Sequence, residues 1–364
     1  MDQDRRAWGA FGSFSLNGEL PREKRLKHIE AQIAKLPSPN GSPEQDRSRR
    51  LAELQSHWLK EARRIYGTLE PWETVFVARH PRRPVFYDYV GQIAHDFCEL
   101  HGDGLAGDDP AIVTGLGRIG DHGVMIVGQN RGRRLDERVS CRFGCAQPEG
   151  YRKALAKMQL AAKYGIPIVS LIDTPGAYPG MESEQRGIAR AIAKNLAAMP
   201  NLRVPIVSVV IGEGGSGGAL GIAVSDRLAM LEHSIFSVIS PEGCSAILWK
   251  TSAQAKEAAA ALKMRAADLL EMGLIDEMIA EPVGGAHHHP AEAIAAVERY
   301  VIRTLDELKR VPIDELLEQR YRRLRALGSA FEQEGSSFTD LPAPHRPITA
   351  PGARKKAEIA AQAS

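Results

Sequence analysis

Two glycine-rich stretches hold the residue types best suited to chemistry. VPIVSVVIGEGGSGGA (residues 204–219) is an apolar, β-branched run that stops in five glycines, and IPIVSLIDTPGAYPG (166–180) repeats the design upstream. The apolar halves read as strands buried on both faces. Past them side chains almost vanish, so consecutive backbone N–H groups can lie open to whatever is set against them. Such donors stabilise negative charge, on a phosphate or on the oxygen of a reacting carbonyl. Two strands ending in such turns place a site at the strand ends.

Three chemistries compete for residues 212–218. Gly212, Gly214 and Gly217 satisfy GxGxxG after a strand, and Glu232 follows about 20 residues on, as in a dinucleotide fingerprint. Against it, the helix expected from GGALGIAVS is short and glycine-rich, and the motif does not open the α/β region. DTPG at 173–176 imitates a GTPase switch turn, but no GxxxxGK[ST] occurs, so the phosphate cradle is missing and that reading fails. The third is acyl-thioester chemistry. An enolate oxygen, or the ureido oxygen of a biotin losing its carboxyl group, needs two backbone donors about 3 Å away in a dry pocket. Glycines that serve only tight strand–helix packing are the plain alternative, and five within seven residues exceed what packing asks for.

The surrounding pattern supplies elements to hold these turns. Leu26, Ile29, Ile33 and Leu36 lie at helical spacing, as do Leu51, Leu54, Trp58 and Ala62, with PSPNGSPEQ between them. These predict a helical hairpin over 21–66. A helix is predicted over 87–100, then a tight strand pair in AIVTGLGRIG and HGVMIVGQN. Further on come a helix at 150–164, strand 166–172, helix 184–198, strand 204–211, short strands at 227–231 and 235–239, and a helix opened by SPEGC (240–244). Repeated strand–turn–helix units argue an α/β core with parallel strands. The expected organisation is an irregular N-terminus (1–20), the hairpin (21–66), a core (67–290), C-terminal helices (291–327) and a disordered Pro/Ser/Ala-rich tail (328–364).

Composition narrows the setting. The 364 residues carry a net charge of +2, which makes no global case for nucleic acid or a membrane surface. No apolar run is long enough to span a membrane, and MDQDRRAWGAFGSF has no secretory h-region, so a cytoplasmic protein is expected. Cys98, Cys141, Cys145 and Cys244 include no CxxC pair, so they read as free thiols and no metal site is expected on this chain.

At EGYRKALAKMQLA (149–161), IDTPGAYPG (172–180), EQRGIARAIAKNL (184–196), VIGEGGSGGALGI (210–222), FSVISPEGCSAILWK (236–250) and EPVGGAHHHP (281–290), the chain resembles the α subunits of bacterial acetyl-CoA carboxylase carboxyltransferase. The likeness runs over roughly 71–327 in block order and spacing. It implies a crotonase-like α/β fold of repeated ββα units. It also implies a β-subunit partner in an α₂β₂ heterotetramer, that partner alone carrying zinc and most of the CoA site. The reaction implied moves a carboxyl group from carboxybiotin, borne on the biotin carboxyl carrier protein, to acetyl-CoA, giving malonyl-CoA for fatty-acid synthesis. By motif, the amides of Gly214 and Gly215 would hold the ureido oxygen. Thr174, Pro175, Gly176, Ala177, Tyr178, Gly180, Ser216 and Gly217 would form the biotin pocket, with Tyr178 near the ring. No side-chain base is required, because the biotin nitrogen can take the methyl proton.

Other conspicuous residues have plainer readings. Glu213 and Glu242 are expected to cap or brace the turns, and His287–His289 to be a solvated run. The basic segment 131–142 faces CoA phosphates, the partner, or solvent. A self-sufficient acyl-CoA hydratase or isomerase, a nucleotide-binding module, and a related decarboxylase or carboxyltransferase acting on propionyl-CoA or another acyl-CoA are the rival functions.

Overall fold

A computed structural model describes residues 20–36, 44–105 and 107–328. Apart from Leu20 and Gly328, the expected irregular N-terminus and tail lie outside these residues. The described residues up to Arg325 form one compact unit.

The N-terminal helices form where their apolar stripes predict. α1 (Lys24–Ala34) and α2 (Glu44–Tyr66) bury Leu26, Ile29, Leu54, Trp58, Ala62 and Ile65 in one cluster. α3 (Pro71–Ala78) starts at a capping box, with Glu70 as N-cap, Pro71 in the first turn and Glu73 reaching back to the Glu70 amide. Its C-cap residue is Arg79. α4 follows at Phe86–Ile93.

Here the expectation of one helix over 87–100 fails. The chain leaves α4 at Ala94 and becomes strand β1 (His95–Glu99), antiparallel to β2 (Ile112–Ile119), which in turn pairs antiparallel with β3 (His122–Gln129). The alternation in HDFCE is too short to outvote the helical pattern before it, and only the distant strand β2 selects the extended form.

From β3 onward pairing is parallel. β4 (Ile168–Thr174), β5 (Ile206–Gly215), β6 (Arg227–Leu231) and β8 (Glu277–Ile279) continue the sheet, and β7 (Ile235–Ser237) pairs with the far end of β5. Connections run through α5 (Leu135–Ser140) and α6 (Pro148–Lys163), then α7 (Met181–Gln185) and α8 (Ile188–Ala198), then α9 (Ser216–Ala223). α10 (Pro241–Trp249), α11 (Ala255–Leu262) and α12 (Ala266–Glu271) precede β8, and α13 (Pro290–Leu308) and α14 (Ile313–Ala326) follow it.

Strand alternation divides the core into two layers. Ile168, Ile172, Ile206 and Val210 pack with Tyr151, Ala154 and Met158 of α6 and Ala219 and Ile222 of α9. Val169, Leu171, Val207, Val209 and Ile211 pack with Phe86, Tyr89 and Ile93 of α4 and Val297 and Val301 of α13. The central strands are thus buried on both faces, as their unbroken β-branched runs require. Arg320 of α14 ties the last helix to this sheet, reaching Asp226 at 2.8 and 2.7 Å and the carbonyls of Leu202 and Val204 at 2.7 Å.

The histidine run is a second correction. Gly284 and Gly285 have φ of +93° and +83° and curl the loop back on itself. His287 is thereby buried beside Tyr66 and His80, and His288 packs edge-on to Trp58. Arg83 anchors the loop through Glu281 at 3.0 and 2.6 Å, and Glu281 also accepts from the amides of His233 and Ala286.

Candidate active site

β5 does not stop at Ile211 as its apolar run suggests. It continues through Gly215, with Gly214 paired to Thr174 on one side and Phe236 on the other. The turn therefore begins at Ser216, whose φ of +49° is rare for a residue with a side chain. α9 starts there, with Gly215 as N-cap and no side-chain cap. The amides of Ser216, Gly217 and Gly218 precede the first amide that donates within the helix, so the helix itself leaves them free.

These amides border a cleft of about 640 Å³. One wall is the turn after β4, at 175–179; the others come from α8, β7, the loop after it and α10, and include Ile188, Ile192, Val238, Ile239 and Ile247. Of the candidate residues, Pro175, Gly176, Ala177, Tyr178, Gly214, Gly215, Ser216 and Gly217 all line it. Thr174 and Gly180 do not. Thr174 is wholly buried, its hydroxyl 2.7 Å from the Gly144 carbonyl oxygen and 2.8 Å from that of Gly176, so it shapes the turn from beneath. Gly180 lies against the Tyr178 ring, where a Cβ would collide. The Arg142 guanidinium sits 5.5 Å from the centre of the same ring.

The glycines themselves do different jobs. A Cβ on Gly215 would strike the Pro175 carbonyl and come within 2.8 Å of the Gly176 nitrogen; one on Gly218 would come within 2.8 Å of the Gly176 Cα. A Cβ on Gly214 would lie 2.6 Å from the Phe236 ring. Packing therefore accounts for more of this run than the sequence reading allowed. Gly217 is the exception: its nearest neighbour would be Ile192, 3.8 Å away.

Beneath the turn lies a charged network that local sequence does not announce. Glu213 accepts from Arg79 Nε at 3.0 Å and Nη2 at 2.6 Å, and Arg131 stands 3.4 Å from its other oxygen. Arg79 also donates to Glu242 at 2.7 Å. Asp173 accepts from Arg131 at 3.1 Å and from the Glu213 amide at 3.0 Å. Burial pushes the Asp173 carboxyl up against the pull of Arg131. Burial acts the same way on Glu213, but there Arg79 and Arg131 outweigh it and hold the carboxyl below its ordinary value. From below, Gln129 and Tyr151 donate to the Gly218 carbonyl at 2.8 and 3.1 Å.

The expected bracing role of Glu213 and Glu242 thus has a partner, Arg79, which sequence reasoning missed because it lies 134 residues from Glu213. The basic segment 131–142 is also partly consumed: Arg131 enters this network, and Arg138 donates to the carbonyls of Gly132 and Pro81. Cys141 and Cys145 are buried free thiols, the latter pushed up to about 12 by burial.

This geometry bears on the rivals. A dinucleotide fingerprint needs its first glycines in the turn, whereas Gly212 and Gly214 lie inside the strand. The Glu232 carboxylate accepts from the Glu281 amide at 3.1 Å. A hydratase needs carboxylates facing its substrate, and Glu213, the one carboxylate among the cleft's lining residues, is turned into the arginines.

Comparison with known proteins agrees with the geometry. The family model described as acetyl co-enzyme A carboxylase carboxyltransferase-like matches residues 19–328. The acetyl-coenzyme A carboxylase carboxyl transferase subunit alpha of Rhodopirellula baltica is 47% identical over 318 residues, covering 86% of this chain and 98% of its own. That of a Synechococcus strain is 48% identical over 317 residues, covering 87% and 96%. Among solved structures, transcarboxylase 12S superposes with a TM-score of 0.52 at 21% identity, over 63% of this chain and 43% of that one. The beta subunit of P. aeruginosa geranyl-CoA carboxylase gives 0.50 at 20%, over 67% and 46%. These two likenesses carry the crotonase-like α/β fold. Matched over nearly its whole described length, the chain belongs to the acetyl-CoA carboxylase carboxyltransferase alpha-subunit family.

Proposed function

We propose that this chain is the alpha half of a carboxyltransferase that moves a carboxyl group from carboxybiotin to acetyl-CoA, giving malonyl-CoA. The observation that carries the reading is the meeting, in one cleft of about 640 Å³, of the 175–179 turn with a helix start whose amides have no acceptor within the helix. The volume lies in the range of small-molecule sites, and apolar walls with a few converging donors suit a bicyclic urea.

Bound there, the biotin of a carrier protein supplies the carboxyl group and, at its ureido nitrogen, a place for the methyl proton. The chain's own part is electrostatic and positional. The amides at the start of α9, from Ser216 to Gly218, stabilise the ureido oxygen as it gains charge, with the helix start adding its dipole, while Gly214 and Gly215, held in the β5 ladder, form the wall beside them. Tyr178, backed by Gly180 and Arg142, closes one side of the pocket. Arg79, Arg131 and Glu213 hold β5 in register with the 175–179 turn without touching the reacting atoms.

The thioester site and zinc belong, in this reading, to a beta subunit in an α₂β₂ assembly. Val238, Ile247 and Leu248 support a covered cleft rim: these apolar side chains are 76%, 63% and 63% exposed around the α10 side. No helix among the described residues is long and apolar enough to cross a membrane, consistent with catalysis in the cytoplasm.

The test is the reverse reaction. Malonyl-CoA and free biotin are supplied to the chain alone, to the beta subunit alone, and to both. Carboxyl transfer only from the pair is expected. Full activity from this chain by itself, or none from the reconstituted pair, would overturn the assignment.

A further inference from the structure

A cluster outside the cleft has no part in the reaction above. Glu23, in the short turn Pro21–Glu23, His80, next to Arg79, and His287, in the glycine loop, are 2%, 8% and 4% exposed. Each presents one ligand atom, and the three atoms lie within 4.8 Å of one another. Among the described residues no other group of three or more histidine, cysteine, aspartate or glutamate side chains converges in this way.

We infer that Glu23, His80 and His287 bind one borderline divalent transition-metal ion, zinc being the closest fit to the donor set. Two imidazoles and a carboxylate are the donors of open zinc sites, whereas Mg²⁺ and Ca²⁺ prefer oxygen alone. Tetrahedral bonds of about 2.0–2.2 Å put ligand atoms about 3.5 Å apart, so the cluster need close by only about 1.3 Å.

Two further observations favour a cation at this cluster. The buried Glu23 carboxylate has no lysine or arginine within ion-pair distance among the described residues, and its nearest basic atom is His287 Nε2 at 3.6 Å. His287 Nδ1 is buried with no hydrogen-bond partner. With the orphaned Nδ1 as the His287 ligand atom, Tyr66 supplies the outer shell: its hydroxyl donates to Glu23 and its oxygen can accept from His287 Nε2, 2.9 Å away. The competing contact is the Arg82 amide, 3.2 Å from His80 Nδ1, which lengthens when the other ring nitrogen coordinates.

A bound ion would staple three segments distant in sequence: the N-terminal helices, the stretch carrying Arg79 and Arg83, and loop 281–290. Its free energy of binding would add directly to the stability of that junction. The expectation of no metal on this chain came from counting cysteines and from placing the histidine run in solvent.

The full chain, made without an affinity tag or a partner subunit, is stripped with a chelator and titrated with Zn²⁺ against a chromophoric competitor. A parallel sample is titrated with Co²⁺. One ion per chain is expected, with the intense visible absorption of four- or five-coordinate Co²⁺ and a thermal midpoint that rises with Zn²⁺. Glu23→Gln and His80→Gln should each weaken binding about 10-fold or more. His289→Ala, whose side chain is 40% exposed, should leave it intact. If either cluster variant does not fold, the wild-type Co²⁺ spectrum decides. The inference is overturned by no saturable binding below ~100 µM, by an octahedral aqua-like Co²⁺ spectrum, or by binding that survives in Glu23→Gln and disappears in His289→Ala.

Discussion

Gly217 and Gly215 sit two residues apart, and the structure assigns them opposite responses to the same added methyl group. A Cβ on Gly217 meets nothing closer than Ile192 at 3.8 Å, and φ there is not in the left-handed region. Gly217→Ala removes unfolded-state entropy in the first turn of α9 and should stabilise by about 0.4–1 kcal/mol. The methyl nevertheless stands in the cleft beside the amides assigned to the ureido oxygen. Full loss of one such donor costs about 10²–10³ in turnover, or about 2.7–4 kcal/mol. Crowding by one methyl should cost about 10-fold, and by Gly217→Val about 10²-fold. Gly215→Ala drives its Cβ into the Pro175 carbonyl and to 2.8 Å from the Gly176 nitrogen. The 175–179 turn must move, so overpacking should destabilise by about 1–3 kcal/mol as well as lower activity. Urea unfolding of each variant, alongside reverse carboxyl transfer by the reconstituted pair, separates the effects. A Gly217→Val enzyme with wild-type turnover would refute the assignment of these amides. A Gly215→Ala protein as stable as wild type would refute the packing argument.

Arg79→Met should destabilise by about 3–5 kcal/mol, because it leaves the buried Glu213 with only Arg131 at 3.4 Å and strips Glu242 of its partner. Unfolding measurements check this, and a loss below 1 kcal/mol on the same scale would mean the network contributes little. Stability should also carry an acid limb from Glu281. Burial tends to raise its pKa, but Arg83 chiefly holds it down, from 4.5 to about 2. A depressed carboxyl contributes fully above the unfolded value and loses that contribution as pH falls from about 4.5 towards 2. Unfolding free energies followed through that window should fall steeply for wild type and less steeply for Glu281→Gln; parallel curves would contradict the linkage.

Much of this protein could be read from the chain. β-branched runs at 168–172 and 206–211 demanded strands buried on both faces, and both faces are covered. Stripes at Leu26/Ile29 and Leu54/Trp58/Ala62 demanded paired helices, and those residues share a cluster. What failed were places where a distant partner outvotes local pattern. His95–Glu99 is a strand because β2 offers it a ladder, and β5 runs on to Gly215 because β4 and β7 flank its glycines.

Periodicity and the two glycine turns by themselves determined the α/β class and the end of the sheet where a site would form, because these follow from local propensity and from alternation along one chain. The family came from the resemblance of whole motif blocks, in their order and spacing, to known sequences. Tertiary structure alone decided which glycines are obliged by packing and which leave space, since that depends on the backbone at 175–177 lying against residues 215–218. It also decided that Arg79 braces Glu213 across 134 residues, and that a histidine run resembling a solvated loop buries one ring beside Glu23 and His80. Pairings across such separations leave no periodic trace, because their geometry is set by the packing of whole elements rather than by the spacing of residues.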